Sequence, residues 1–215
     1  MTVAEMGIED LCNACYEGDD QKVRTILARG LVDVNGFHCG NTPLLYAVAR
    51  NQHTVVRTLL ASNTTRLDLT DVEGHTALHM AVYMTVLGHS SGILSLLGQD
   101  TRCSPAVINT RTKAGDSALM VGVKYSDLDS VRELDKLEGT NFRTRNKLGE
   151  SLVDVARKKD YAEMVRYLLE RNMRKESLAE IAAYNVAKMI DTEEDVKDLE
   201  IPLELYSLVT KFLEK

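Results

Sequence analysis

Cys12 and Cys15 flank the stretch CNAC, and His38 and Cys39 follow further on. Two thiolates at that spacing, joined by an imidazole and a third sulfur, are the donor types of a tetrahedral zinc site, and the dithiol alone has the spacing of a redox pair. A second concentration of chemistry is HTALH, which holds His75 and His79 one helical turn apart. Imidazoles that share a helical face at that spacing hold a metal in known motifs. The chain also carries 32 Asp and Glu side chains, but abundance alone does not define an acid–base pair, since most such groups line solvated helices. There is no G-x-S-x-G, no phosphate-cradling glycine loop and no H-E-x-x-H, so the sequence carries no hydrolase, nucleotide or metalloprotease signature.

The elements that must position these residues point away from catalysis. The chain repeats itself. GNTPLLYAVARNQHTVVRTLL begins at Gly40, GHTALHMAV at Gly74, GDSALMVGVKYSDLDSVREL at Gly115 and GESLVDVARKKDYAEMVRYLL at Gly149. Each Gly is followed by a hydroxyl residue (Thr42, Thr76, Ser117, Ser151), then by a small residue (Ala47, Ala81, Gly122, Ala156). Leu59, Leu134 and Leu168 close three of the copies. An N-terminal copy fits the same ruler through Ala14, Ile26 and Leu27 and ends in ARGLVDVNG. The hydroxyl reads as a helix N-cap, and the small residue lets a partner helix approach. Paired aliphatics such as Val55, Val56, Leu59 and Leu60 form the buried stripe of the second helix. Each unit leaves an apolar face that only its neighbour can cover.

The same ruler gives the cysteines a structural role. Cys12 falls where other copies carry Leu45 and His79, and Cys15 where they carry Val48 and Val82. These are packed slots, in which a free Cys acts as a small hydrophobe. In HTALH the first His precedes the helix cap, so the two rings do not share a helical face.

The repeats resemble the ankyrin repeat, through TPL at Thr42–Leu44, TALH at Thr76–His79 and DVN at Asp33–Asn35. The resemblance runs from residue 8 to about residue 172 and implies an all-α ankyrin-repeat solenoid of about five helix pairs. It implies for His79 a structural role, tying adjacent turns by hydrogen bonds. It also implies binding through the turn tips and the inner face of the first helices. Those tips supply the expected target-binding residues Phe37, Asp71, Glu73, Arg111, Lys113, Arg143 and Arg145, with Tyr46, Arg50, Tyr83 and Tyr125 as anchors behind them. The ridge passes from acidic to basic, which suits a partner with an acidic segment, although a charge run is also what a solvated face looks like. Asn35, with Leu27, Asp33 and Val34 before it, resembles the pattern accepted by the asparaginyl hydroxylase that modifies ankyrin repeats; it is equally a residue that shapes a turn.

The third copy is irregular. With Leu96 taken as the counterpart of Leu59, TVLGHSSG lengthens the turn between helices and GQDTRCSPAVINTRTKAG lengthens the outgoing loop. Insertions that leave the register intact map to loops on one face.

The bulk numbers agree with a folded interaction protein. The chain has 215 residues, 44% of them hydrophobic and 27% charged. It shows no apolar run long enough to span a bilayer and no leader pattern at its start. Four cysteines do not make a disulfide framework at this length, so a reduced cytoplasmic or nuclear setting is expected, with no membrane partner. A net charge of -6 argues against general nucleic-acid binding.

After the repeats the composition changes. Ser177 and Glu180 make a capping box, and Leu178, Ile181, Ala182, Val186, Met189 and Ile190 form an apolar stripe. Pro202 stands at a plausible first helical position, followed by a stripe of Leu205, Leu208, Val209, Phe212 and Leu213. The stripes either cap the last repeat or dock a partner. SLAEIAAYNV resembles the elongin-binding box of SOCS-box and VHL-box proteins, with Ser177, Leu178, Ala182 and Val186 in its key slots. LEIPLELYSLV resembles the cullin-contacting half, through Ile201, Pro202, Leu205 and Val209. The resemblance implies two domains, 1–176 and 177–215. It implies a substrate-recognition subunit of a cullin–RING ubiquitin ligase, with elongin B/C, a cullin and an unidentified target as partners and no cofactor. The alternative is an ankyrin adaptor or inhibitor with a helical cap.

Overall fold

The computed structural model describes residues 7–173. The candidate elongin residues Ser177, Leu178, Ala182 and Val186, the candidate cullin residues Ile201, Pro202, Leu205 and Val209, and the expected boundary at 176/177 lie outside the described residues. The chain divides into two compact units, 1–161 and 162–215.

Within the first unit, helices alternate between two layers. The first-helix layer holds α1 (Ile8–Glu17), α3 (Pro43–Ala49), α5 (Ala77–Val86), α8 (Ala118–Lys124) and α10 (Leu152–Lys158) side by side. Behind it stand α2 (Asp20–Arg29), α4 (His53–Leu60), α6 (Gly92–Gln99) and α9 (Leu128–Asp135). A single turn, α7 (Pro105–Ile108), follows α6. In the second unit, α11 (Ala162–Met173) buries Met164 and Leu168. No strand is formed among the described residues; only isolated bridges pair His38 with Asn41 and Arg145 with Ser151.

The predicted caps start the first helices. The Thr42 hydroxyl accepts the Leu45 N–H at 3.3 Å, and Ser117 accepts that of Met120 at 3.3 Å. Ser151 accepts from Asp154 N–H at 3.2 Å while the Asp154 carboxylate accepts from Ser151 N–H at 2.8 Å, a reciprocal box. Beyond each first helix one residue turns the chain in the left-handed region. It is Gly18 or Gly88 in two repeats but Asn51, Ser126 and Asp160 in the others.

The two layers meet at the expected small residues. Ala47, Ala81 and Ala156 have no more than 1% of their surface exposed. At Gly122 the approach is close: an added Cβ would lie 3.1 Å from Val131 Cγ2. Cys12 and Cys15 are buried among Leu11 and Ala14 on α1. Burial pushes the Cys12 thiol up to about 12 and moves Cys15 in the same direction, so both are inert packed thiols at neutral pH.

Three expectations for the third copy need correction. The buried triplet of α6 is Ile93, Leu94 and Leu97, matching Val55, Val56 and Leu59 of α4, while Leu96 is half-buried. Leu97 is therefore the counterpart of Leu59. Nor does the insertion sit only in the turn: α5 has 10 residues where α3 and α8 have 7. An insertion of about one helical turn can be absorbed by extending the helix, because it returns the apolar stripe to the same face. The outgoing segment is not a plain loop either. It folds as α7, with Val107 and Ile108 buried. Arg102 pins it to the preceding repeat, donating to the carbonyls of Leu60 (2.7 Å), Ser62 (2.6 Å) and Thr65 (3.0 Å) while Asp100 holds the guanidinium in two further bonds. The carbonyls left over at the end of α4 thus find donors. A groove of about 480 Å³ lies between residues 63–68 and 102–110.

Candidate functional site: the tips and the inner helix face

Four hairpin tips precede α3, α5, α8 and α10; the first is closed by paired backbone bonds between His38 and Asn41, and each of the other three is built by a polar side chain that accepts from its own turn. Asp71 Oδ1 accepts from the N–H groups of Glu73 and His75, both at 2.8 Å. Thr112 accepts from Asp116 N–H at 3.3 Å, and Asn146 from Leu148 and Glu150 N–H at 3.0 Å each. Burial pushes the Asp71 carboxyl up, but the hydrogen bonds from His75 and Glu73 outweigh this and hold it below the usual range. Asp71, expected among the target-binding residues, has its oxygens committed to its own tip.

Adjacent tips press on one another. At Gly74 (φ 85°) a Cβ would stand 3.1 Å from the Lys113 backbone nitrogen. That nitrogen donates to the Glu73 carbonyl at 2.8 Å. At Gly115 (φ 84°) a Cβ would meet the Lys147 side chain at 2.7 Å. Only Gly allows both this backbone conformation and this approach. Arg111 reaches across to the next tip, donating to Arg145 O at 3.0 Å and to Thr144 Oγ1 at 3.2 Å.

Each tip base is also tied to its first helix. His75 packs edge-on against Tyr83, with ring centroids 5.5 Å apart. One repeat on, Lys124 Nζ donates to Asp116; in the next, Lys158 Nζ donates to Glu150 at 2.9 Å. In the first tip, Tyr46 Oη donates to His38 O at 3.1 Å. His79 ties the second tip to the third. Its Nδ1 accepts from Thr76 N–H at 3.2 Å, which leaves Nε2–H to donate to Asp116 O at 3.2 Å. Burial drives its pKa down to about 4, so it is a neutral structural ring.

The result is a groove with tips on one side and the first-helix face on the other. Its floor carries a row of rings: Tyr16 edge-on to Tyr46 (6.1 Å), with Arg50 4.5 Å over Tyr16, then Tyr83 edge-on to Tyr125 (5.9 Å), then Lys159 5.8 Å from both Tyr125 and Tyr161. Tyr46, Arg50, Tyr83 and Tyr125 were legible from the repeat ruler. Tyr16, Lys159 and Tyr161 were missed, and so were the Asp116–Lys124 and Glu150–Lys158 pairs. The pairs had a signal: an acid before the cap and a Lys at the same helix position recur in successive repeats.

The tips differ in what they expose. Phe37 is half exposed, next to Cys39, whose Sγ lies 3.5 Å from His38 Nε2. Glu73, Lys113, Arg111, Arg143 and Arg145 are exposed. Arg145 donates to Gly149 O at 2.6 Å and lies 3.8 Å from Asp154. Asn35 accepts from Arg66 N–H at 2.8 Å and donates to Thr64 O at 2.8 Å, bridging two repeats. Asn109 makes the corresponding bridge to Asn141 N–H and Gly139 O, both at 2.8 Å.

Residues 11–109 match the family described as ankyrin repeats (3 copies). Over the described residues the fold is an all-α ankyrin-repeat solenoid. An ankyrin repeat protein of Rickettsia bellii is 33% identical over 94 residues, which is 43% of this chain and 36% of that relative. The matched stretch thus spans about a third of the length of this relative. Ankyrin repeats are protein–protein interaction modules, typically without chemistry of their own. Among the described residues no helix is long and apolar enough to cross a membrane, and no cluster of three or more His, Cys, Asp or Glu is placed to hold a metal ion.

Proposed function

We propose that this chain is the substrate-recognition subunit of a cullin–RING ubiquitin ligase. The ankyrin groove holds a target protein, and residues 177–215 recruit elongin B/C and a cullin. The observation that carries this reading is the order of two motifs behind the repeats. Ser177, Leu178, Ala182 and Val186 fill the elongin-box pattern, and Ile201, Pro202, Leu205 and Val209 follow in the cullin-contacting pattern. The chain catalyses nothing itself; tethering target and ligase raises their effective concentration.

Titration of purified elongin B–C onto the full chain tests this. The wild type should bind, and Leu178→Ala with Ala182→Asp should abolish capture. A buried Leu anchor contributes about 1.5–3 kcal/mol, and an unpaired carboxylate in an apolar contact adds a larger penalty. Circular dichroism checks that both chains are folded. Undetectable binding by the wild type would leave a plain ankyrin adaptor or inhibitor, the reading that the repeats support without the tail.

Asn35 is the residue we propose for asparaginyl hydroxylation. Its counterpart Asn109 has Thr101 where Asn35 has Leu27, so added oxygen is expected on the Asn35 peptide and not on the Asn109 peptide. Mass spectrometry after coexpression with the hydroxylase, finding neither modified, would exclude it.

A further inference from the structure

We infer that the third and fourth tips form a basic clamp for an acidic peptide segment of a partner protein. The inference rests on the ankyrin groove being the protein-binding face, and not on the ligase reading. Arg111, Lys113, Arg143, Arg145 and Lys147 project from two tips that touch each other. Two contacts hold the cations together: Arg111 bonds to the backbone of Arg145, and the Lys147 stem lies against Gly115. Bringing like charges together opposes folding. Yet the carboxylates nearest to the clamp are weak partners. Glu73 stands 4.0 Å from Lys113, and both are about two-thirds exposed; Asp154 stands 3.8 Å from Arg145 and is engaged by the Ser151 cap.

The contrast with the groove floor is informative. There, Lys124 and Lys158 are each matched by a carboxylate of their own repeat, Asp116 and Glu150. These two lysines are neutralised from within their own repeats, whereas the tip charges are left for a group from outside. The chain as a whole is at -6, so this patch runs against its net charge. A patch of one sign on an otherwise acidic protein steers and orients an oppositely charged partner.

The extent of the patch favours a peptide over a nucleic acid. The neighbouring tip exposes Glu73, and α1 of the first-helix layer carries Glu9, Asp10 and Glu17. A polyphosphate backbone continuing along the groove would meet carboxylates, and its affinity depends on many phosphate contacts. A short acidic segment needs two tips only, and its apolar residues can rest on Tyr83 and Tyr125 of the floor.

The test is fluorescence anisotropy with the full chain and a labelled twelve-residue peptide of alternating acidic and apolar residues, at low salt. The wild type should bind, with affinity falling as salt rises. Lys113→Glu with Lys147→Glu should weaken binding about tenfold or more, and Arg24→Glu with Arg57→Glu, the same net change on the second-helix layer, by less than about twofold. Arg143→Glu alone should weaken binding in the same direction, and it stands in if the double variant unfolds. Equal loss in the two double variants, or an oligonucleotide of equal length binding as tightly as the peptide, would overturn the inference. So would no wild-type binding at about 100 µM protein. Loss on Tyr83→Ala with Tyr125→Ala but none on the tip variants would also overturn it, while leaving the groove as the binding face. Elongin capture is read separately, through Leu178.

Discussion

His79 shows how a residue that looks catalytic serves the stack. It sits fully buried, with Thr76 on one nitrogen and the Asp116 carbonyl on the other. Burial lowers its pKa to about 4, below the value of about 6.5 that it has in the unfolded chain. Above pH 6.5 the ring is neutral in both states and contributes no pH dependence. Between pH 6.5 and 4 the unfolded chain takes up a proton that the folded chain does not, so stability falls as pH falls through that window. The full loss is about 3 kcal/mol. Below pH 4 it no longer grows. Urea unfolding of the wild type at pH 7.5 and pH 5 should show this drop, and His79→Gln should be less stable at pH 7.5 but lose less on acidification. An identical pH slope in the two proteins would remove His79 as the cause. The carboxylates and the other histidines are common to both chains and drop out of the comparison.

At the scale of elements, the third repeat tests how insertions are absorbed. The longer α5 and the Ile93, Leu94, Leu97 triplet on α6 predict a clear asymmetry between neighbouring residues. Leu97→Ala should cost about 2–5 kcal/mol, the range for a fully buried Leu, and Leu96→Ala well under half of that. Denaturant midpoints of the two variants check it, and equal costs would mean that Leu96 shares the core slot. Helix periodicity explains why the sequence reading slipped by one position here. Adjacent leucines both satisfy a Leu-at-fixed-spacing ruler, and only packing against α4 and α9 says which faces inward. Burial also made α7 out of an expected loop, since Val107 and Ile108 are covered and Pro105 could open a helical turn.

For the whole molecule, the repeats and the tail are separable in their expected roles. A chain ending at residue 176 should remain helical and unfold cooperatively, because Met164 and Leu168 of α11 are already buried. Circular dichroism melting checks this; an aggregated or unfolded truncation would make the tail a structural cap. The repeats themselves were legible because a solenoid repeats its constraints. Each cap, small residue and aliphatic triplet recurs at a fixed spacing, so one sequence supplies several readings of the same slot. That redundancy determined the fold class, the packed cysteines, the structural histidine and the groove residues Tyr46, Arg50, Tyr83 and Tyr125. Tertiary structure decided what contact between neighbouring repeats controls. It turned Asp71 inward to its own tip, drew Arg111 onto Arg145, set Lys124 and Lys158 against acids of their own repeats, and used Arg102 to close α4. Charges at similar sequence positions look alike in a string of residues. Whether each is already matched depends on side chains that the fold brings to it.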